Sequence, residues 1–188
     1  MSNCSCNTCM KTDKPILVDI CWTLFSSNTT YDFLRIRGNR LNSLLYKLFG
    51  YDYVRARAIR KHRHYTHEQL LARAERFYTD YLEPRKIEPV WQLIEGREII
   101  LVSQTMPLIA EVVAKHTGAK AFHCLHDKRE VLALYSDFDI ITDNLTDIEL
   151  IRQADKATIV TYNNLSRWEK ILPKDKDITF IHTNRHRY

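Results

Sequence analysis

The chain has 188 residues, of which 45% are hydrophobic and 27% charged, and a formal net charge of +5. That balance excludes a disordered or fibrous chain, and the length fits one core domain with an insertion. No apolar run approaches the roughly 20 residues needed to cross a bilayer, and residues 1–14 are polar without the apolar centre of an export signal, so the expectation is a cytoplasmic protein with no membrane span.

Five cysteines, an odd number, favour reduced thiols over a disulfide framework. Cys4, Cys6 and Cys9 fall in the polar stretch 1–14, which is expected to be a flexible tail; metal capture or lipidation are the alternatives for its thiols. The first predicted strand, Ile16 to Asp19, is an apolar run that ends in a carboxylate. About 75 residues then separate it from the next strand, far more than one crossover helix requires. This stretch has helical spacing over Tyr31 to Arg37, Asn39 to Phe49, Tyr51 to Lys61, Thr66 to Tyr81 and Val90 to Ile94, with Pro84 and Pro89 punctuating the return. Residues 26–95 therefore read as a helical cap inserted in a core made of residues 15–25 and 96–188.

The positive charge concentrates in this cap, at Arg35, Arg37, Arg40, Lys47, Arg55, Arg57, Arg60, Lys61 and Arg63. Such a surface attracts phosphates, nucleic acid or anionic lipid head groups, and a solvated helix face accounts for it equally well. Beyond the cap, predicted strands Glu98 to Ser103, Ala119 to His123, Asp139 to Thr142, Ala157 to Val160 and Ile178 to His182 alternate with helical patterns over Pro107 to His116, Lys128 to Tyr135, Thr146 to Ala154 and Ser166 to Leu172. That alternation predicts a doubly wound parallel α/β sheet.

Open α/β sheets bind ligands in the crevice beyond the carboxyl ends of their strands. The residues at those ends are Asp19 with Cys21 and Thr23, then Ser103 with Gln104 and Thr105, then Lys128, then Asp143 with Asn144 and Asp147. An aspartate, a serine, a lysine and an acidic pair in that order, with a helical insertion between the first two, resemble the haloacid dehalogenase superfamily, most closely its phosphoserine-phosphatase-like branch with a helical cap of the C1 type. The resemblance spans about Ile16 to Lys170.

The resemblance implies a Rossmann-like core and a Mg²⁺-dependent phosphatase acting on a small phosphorylated substrate. Asp19 would be the nucleophile that forms an aspartyl-phosphate, which divides one difficult displacement into two easier ones. Asp19, Asp143 and the backbone carbonyl of Cys21 would hold the metal, with Asp147 as an outer ligand. Ser103 and Lys128 would bind the transferring phosphoryl group, Thr23 would complete the catalytic set, and Gln104 and Asn144 would contact substrate.

Three positions depart from the pattern; one is Thr142, where the family carries a glycine before the acidic pair, and the stretch from Gly118 to Lys128 is also shorter than usual. Cys21 stands where these enzymes carry a second aspartate that protonates the leaving group, a transfer typically worth 10² to 10⁴ in rate. Trp22 stands where they carry glycine. His62, His64 and His67, clustered between two cap helices, are candidates to replace the missing acid. The leading expectation is a phosphatase. A fold member that binds a phosphorylated ligand or partner with little turnover is the alternative, and nucleic-acid binding through the cap ranks third.

Overall fold

The computed structural model describes residues 14–36, 40–162 and 165–183. Cys4, Cys6, Cys9 and the expected end of the first cap helix at Arg37 lie outside the described residues. Six strands, β1 (Ile16–Val18), β2 (Ile99–Ser103), β3 (Ala121–Cys124), β4 (Asp139–Thr142), β5 (Lys156–Thr161) and β6 (Asp177–His182), form one sheet in the order β3-β2-β1-β4-β5-β6. Every pairing is parallel.

A parallel sheet is covered on both faces, so its central strands are apolar without interruption. Accordingly Ile16, Leu17 and Val18 are all buried, as is every residue of β2. Alternate residues feed two cores. Val18, Leu101 and Ile141 face a cluster that includes the helix α5 (Pro107–Thr117), whereas Leu17, Ile100 and Ile140 face one built with Phe138, Leu150 and Trp168. Pro107 opens α5 and Gly118 ends it at φ 69°, the left-handed position that glycine takes at low cost.

The stretch between β1 and β2 is helical: α1 (Thr29–Phe33), α2 (Arg40–Arg60), α3 (His67–Phe77) and α4 (Glu88–Ile94). The helix α2 breaks at Gly50, whose φ of 79° is non-helical, so it consists of the two segments that the periodicity predicts. Thr66 caps α3 in a reciprocal box with Gln69. This helical stretch is fastened to the sheet layer at defined points. Glu75 accepts from Lys115 Nζ at 2.7 Å and pairs with His116 Nε2 at 2.8 Å, and the His116 ring stacks on Tyr78 at 3.8 Å. The carbonyl of Leu24, just past β1, accepts from Ile87 N at 2.9 Å and Trp91 Nε1 at 3.1 Å. Phe25 is buried edge-on between Tyr78 and Trp91.

Two predicted helices differ in kind. The Lys128 segment is a 3-10 turn over Lys128–Ala133, and the stretch after β4 splits into a 3-10 turn, Leu145–Asp147, and the helix α6 (Ile148–Gln153). Segments this short gain little from α-helical propagation, and tighter i to i+3 bonds suit them. The last helix, α7, covers Leu165–Glu169.

Strand order reverses between β1 and β4, because β1 leads outward to β2 on one side and β4 to β5 on the other. Adjacent loops diverge at such a point and leave a crevice beyond the carboxyl ends of the strands.

Candidate active site

Asp19 occupies that crevice. Its N–H continues the β1–β4 ladder to the carbonyl of Ile141 at 3.0 Å, and its Oδ1 accepts from the next backbone N–H, that of Ile20, at 2.7 Å. Its other oxygen, Oδ2, accepts from Lys128 Nζ at 2.7 Å, and the same ammonium donates to Asp147 Oδ2 at 2.8 Å. All three residues are buried. Asp147 also accepts from Thr142 Oγ1 at 2.6 Å. Burial alone would lower the Lys128 pKa, yet the charges of Asp19 and Asp147 outweigh it and hold the ammonium above its ordinary range. Burial raises the Asp147 carboxyl against the pull of Lys128, with the charge of Asp19 adding to the rise.

Ser103 ends β2, 1% exposed, and its Oγ accepts from Thr105 N at 3.4 Å. A chain of hydroxyls runs from there into the helical stretch. Thr105 Oγ1 lies 2.7 Å from Thr29 Oγ1 and 2.9 Å from Thr30 Oγ1, and Thr30 Oγ1 in turn accepts the N–H of Met106 at 3.1 Å. Met106 is the N-cap of α5 and offers no side-chain acceptor of its own, so Thr30 supplies one across the interface. At the other end of the chain, Cys21 Sγ lies 3.2 Å from Thr29 Oγ1. Burial and the neighbouring charge of Asp19 push the Cys21 thiol up to about 11.

Trp22 adopts φ 59°, a left-handed conformation that costs a non-glycine residue roughly 1 kcal/mol or more. Tyr162 holds the turn: its hydroxyl donates to the Trp22 carbonyl at 2.6 Å and its ring meets the indole edge-on.

A cavity of about 530 Å³ collects most of the residues singled out in the sequence: Asp19, Cys21, Ser103, Gln104, Lys128, Asp143 and Asn144. Gln104 Nε2 donates to the His126 carbonyl at 2.7 Å, and Asn144 Oδ1 caps the following turn by accepting from Thr146 N at 3.1 Å. Thr23 and Asp147 do not line the cavity. Thr23 is fully buried behind it, with Oγ1 3.5 Å from Asp143 Oδ1, which suits a residue that steadies Asp143. The expected acids of the histidine cluster are elsewhere. His62 Nδ1 bonds the Ala58 carbonyl while its ring stacks on Phe33, His64 packs on Tyr65, and none of the three lines the cavity.

Several lining residues were not singled out in the sequence. Asn28, Thr30, Tyr31 and Tyr46 arrive from the helical stretch, and Arg167 from α7. Asn28 was findable as the N-cap of α1, because asparagine before a short polar helix start favours that role. Tyr46 and Arg167 reach the cavity only through the orientation of their helices. The oxygen donors of Asp19 and Asp143 in one polar cavity are of the type that hard cations take. Among the described residues no group of three or more His, Cys, Asp or Glu side chains gathers around a point.

Replacing Lys128 with Met leaves two buried carboxylates unpaired, and we expect a loss of about 3–5 kcal/mol in denaturant unfolding at neutral pH. Burial already raises the Asp147 carboxyl, and without the ammonium it rises further, so the variant gains stability as pH falls through that folded value and its deficit narrows in acid; a deficit independent of pH would refute the triad. Because burial and the Asp19 charge push the Cys21 thiol up to about 11, its thiolate population near pH 8 is about a hundredfold below that of an ordinary thiol. Peptide mapping after iodoacetamide treatment should show Cys21 labelled about a hundredfold more slowly than a free-thiol standard.

The chain matches no protein-family model and no curated protein. Among solved structures it resembles a protein of unknown function from Bordetella pertussis Tohama I, with TM-score 0.68, 14% identity, and coverage of 89% of this chain and 99% of that one. It also resembles a phosphoserine phosphohydrolase-like protein from Francisella tularensis subsp. tularensis SCHU S4, with TM-score 0.57, 13% identity, and coverage of 88% and 94%. A HAD family hydrolase from Salmonella enterica subsp. enterica serovar Typhi matches at TM-score 0.54 and 10% identity, over 94% of this chain and 69% of that one. Together with the six-stranded parallel sheet and its strand order, these likenesses place the chain in the fold of the haloacid dehalogenase superfamily.

Proposed function

We propose that this protein is a Mg²⁺-dependent phosphohydrolase that acts on a small phosphorylated compound through an aspartyl-phosphate on Asp19. The observation that carries this reading is the Lys128 ammonium on Asp19 Oδ2 at 2.7 Å, in a cavity that Ser103 and Asp143 also line.

In this reading Lys128 holds Asp19 in one orientation and offsets the negative charge that an incoming phosphate brings, which matters because nucleophile and substrate are both anions. An Asp19 oxygen attacks phosphorus, the bond from phosphorus to the leaving oxygen breaks, and the electron pair departs with that oxygen. Water then cleaves the acyl-phosphate, releases inorganic phosphate and restores the carboxylate. Ser103, which lines the cavity at the end of β2, is the donor we assign to the phosphoryl oxygens. Arg167, on the rim, suits a second anionic group of the substrate. Asp19, Asp143 and the Cys21 carbonyl are the donors we assign to Mg²⁺, which would supply charge neutralisation at the phosphoryl oxygens. Asp147, committed to Lys128 and Thr142, acts behind that set. The helical stretch 26–95 acts as the cap, because Thr30, Tyr31 and Tyr46 close one wall of the cavity.

Cys21 shapes the substrate class. A thiol with a pKa of about 11 is a poor proton donor to a leaving alkoxide, so the site suits leaving groups that need no proton, such as the carboxylate of an acyl phosphate. The same residue favours a second reading, a protein that binds its phosphorylated ligand and turns it over negligibly.

Phosphate release from acyl phosphates and aryl phosphates should exceed that from alkyl esters, require Mg²⁺, and fall at least 10³-fold in Asp19→Asn. Cys21→Asp should raise turnover of alkyl esters tenfold or more. Tight Mg²⁺-dependent ligand binding without turnover by any substrate would establish the second reading, and activity that survives Asp19→Asn would contradict both.

A further inference from the structure

The first segment of α2, residues 40–49, carries its apolar side chains at positions 41, 44, 45, 48 and 49, on one face of the helix, and most of that face is exposed. Leu41, Leu44, Leu48 and Phe49 all face solvent, Leu48 at 64% and Phe49 at 59%, while Asn42 is buried and Leu45 is partly packed. Such a stripe normally faces a core, and a contiguous exposed apolar patch marks an interaction surface. Past the Gly50 kink the character changes to basic. Arg57, Arg60, Lys61 and Arg63 line a concavity of about 340 Å³ with Tyr53, and among the described residues no carboxylate pairs with any of them.

The charge is concentrated here as well. Residues 40–66 hold seven of the 28 Lys and Arg but one of the 23 Asp and Glu, so this segment is +6 and the rest of the chain is −1. From these features we infer that α2 docks this protein on an anionic lipid bilayer, with Leu44, Leu48 and Phe49 entering the interface and Arg57, Arg60 and Lys61 meeting the head groups.

Among possible occupants, the bilayer alone answers both halves of the helix. A second copy apposing the same segment would set +6 against +6, at a cost in like-charge repulsion. Nucleic acid accounts for the arginines but leaves the exposed leucines and phenylalanine in water. An anionic bilayer takes the apolar half into its interface and attracts the basic half, the pattern of helices that lie in the membrane plane. Ten helical residues span about 15 Å, half a bilayer core, and no helix among the described residues is long and apolar enough to cross a membrane, so the helix lies on the surface. Tyr46 belongs to this apolar segment and also lines the Asp19 cavity, so the docked surface borders the mouth of the site. Docking stands on exposure and charge and does not require the proposed chemistry.

Flotation of the full chain with vesicles tests it directly. At moderate ionic strength the protein should float with equal parts phosphatidylcholine and phosphatidylglycerol and stay at the bottom with phosphatidylcholine alone. Leu48→Glu with Phe49→Glu should weaken vesicle affinity at least tenfold, and Arg60→Gln and Lys61→Gln about fivefold each. All four side chains are exposed or half-exposed, so the thermal midpoint should be unchanged, and the charge variants provide an independent reading should the apolar pair disturb folding. Wild-type protein that fails to float with anionic vesicles overturns the inference. So does a stable dimer that the Leu48 and Phe49 variants dissociate, or salt-sensitive binding to duplex DNA without vesicle binding.

Discussion

Lys128 is the contact on which the site depends. The ends of β1 and β4 bring Asp19 and the turn carrying Asp147 into a region nearly without water, where two carboxylates repel and neither is well solvated. One ammonium within hydrogen-bond distance of both makes their proximity stable. It ties together three segments distant in sequence: the end of β1, the turn after β3 and the turn after β4. Because a lone buried charge is so costly, the three groups form a unit, and Asp19 points into the cavity with one oxygen held by lysine and the other by its own backbone. Thr142, at the position before Asp143, adds a second donor to Asp147 and fixes the far end of the unit.

A second layer surrounds this charged centre. The hydroxyls of Thr29, Thr30 and Thr105 join the β1 loop, the end of β2 and the start of α5, and they end at the Cys21 sulfur. Position 21 is thereby part of a neutral hydrogen-bonded network and not a second charged group beside Asp19. In the proposed chemistry this separates two functions, since charge compensation of the phosphate is retained through Lys128 while proton donation to the leaving group is weakened. The left-handed Trp22 belongs to the same loop, and the tyrosine that holds it comes from the end of β5, on the opposite side of the switch point.

Much of this was legible in the sequence, for a physical reason. Asp19, Ser103 and Asp143 follow the apolar runs of β1, β2 and β4, and a strand buried on both faces marks its own carboxyl end. The outer strands β3 and β6 keep exposed positions, and their legibility came from the alternation of short runs with helical patterns. What the sequence obscured depends on how elements face one another. Thr23 and Asp147 read as members of the site, yet one sits behind Asp143 and the other behind Lys128, a distinction set by side-chain direction. Tyr46 and Arg167 reach the cavity from helices whose rotation periodicity does not encode. The histidines at the junction between α2 and α3 looked available as acids because spacing says nothing of distance; the fold sets His62 against Phe33 and the Ala58 carbonyl and His64 against Tyr65.

The central claim is that Asp19 accepts the phosphoryl group. Brief incubation with acetyl phosphate and Mg²⁺, followed by borohydride reduction and peptide mapping, reads that event directly. The account predicts conversion of Asp19 to homoserine, dependent on metal and absent in Lys128→Met that remains folded in acid or neutral buffer. Phosphate release accompanied by an unmodified Asp19, or by modification at another carboxylate, would contradict it.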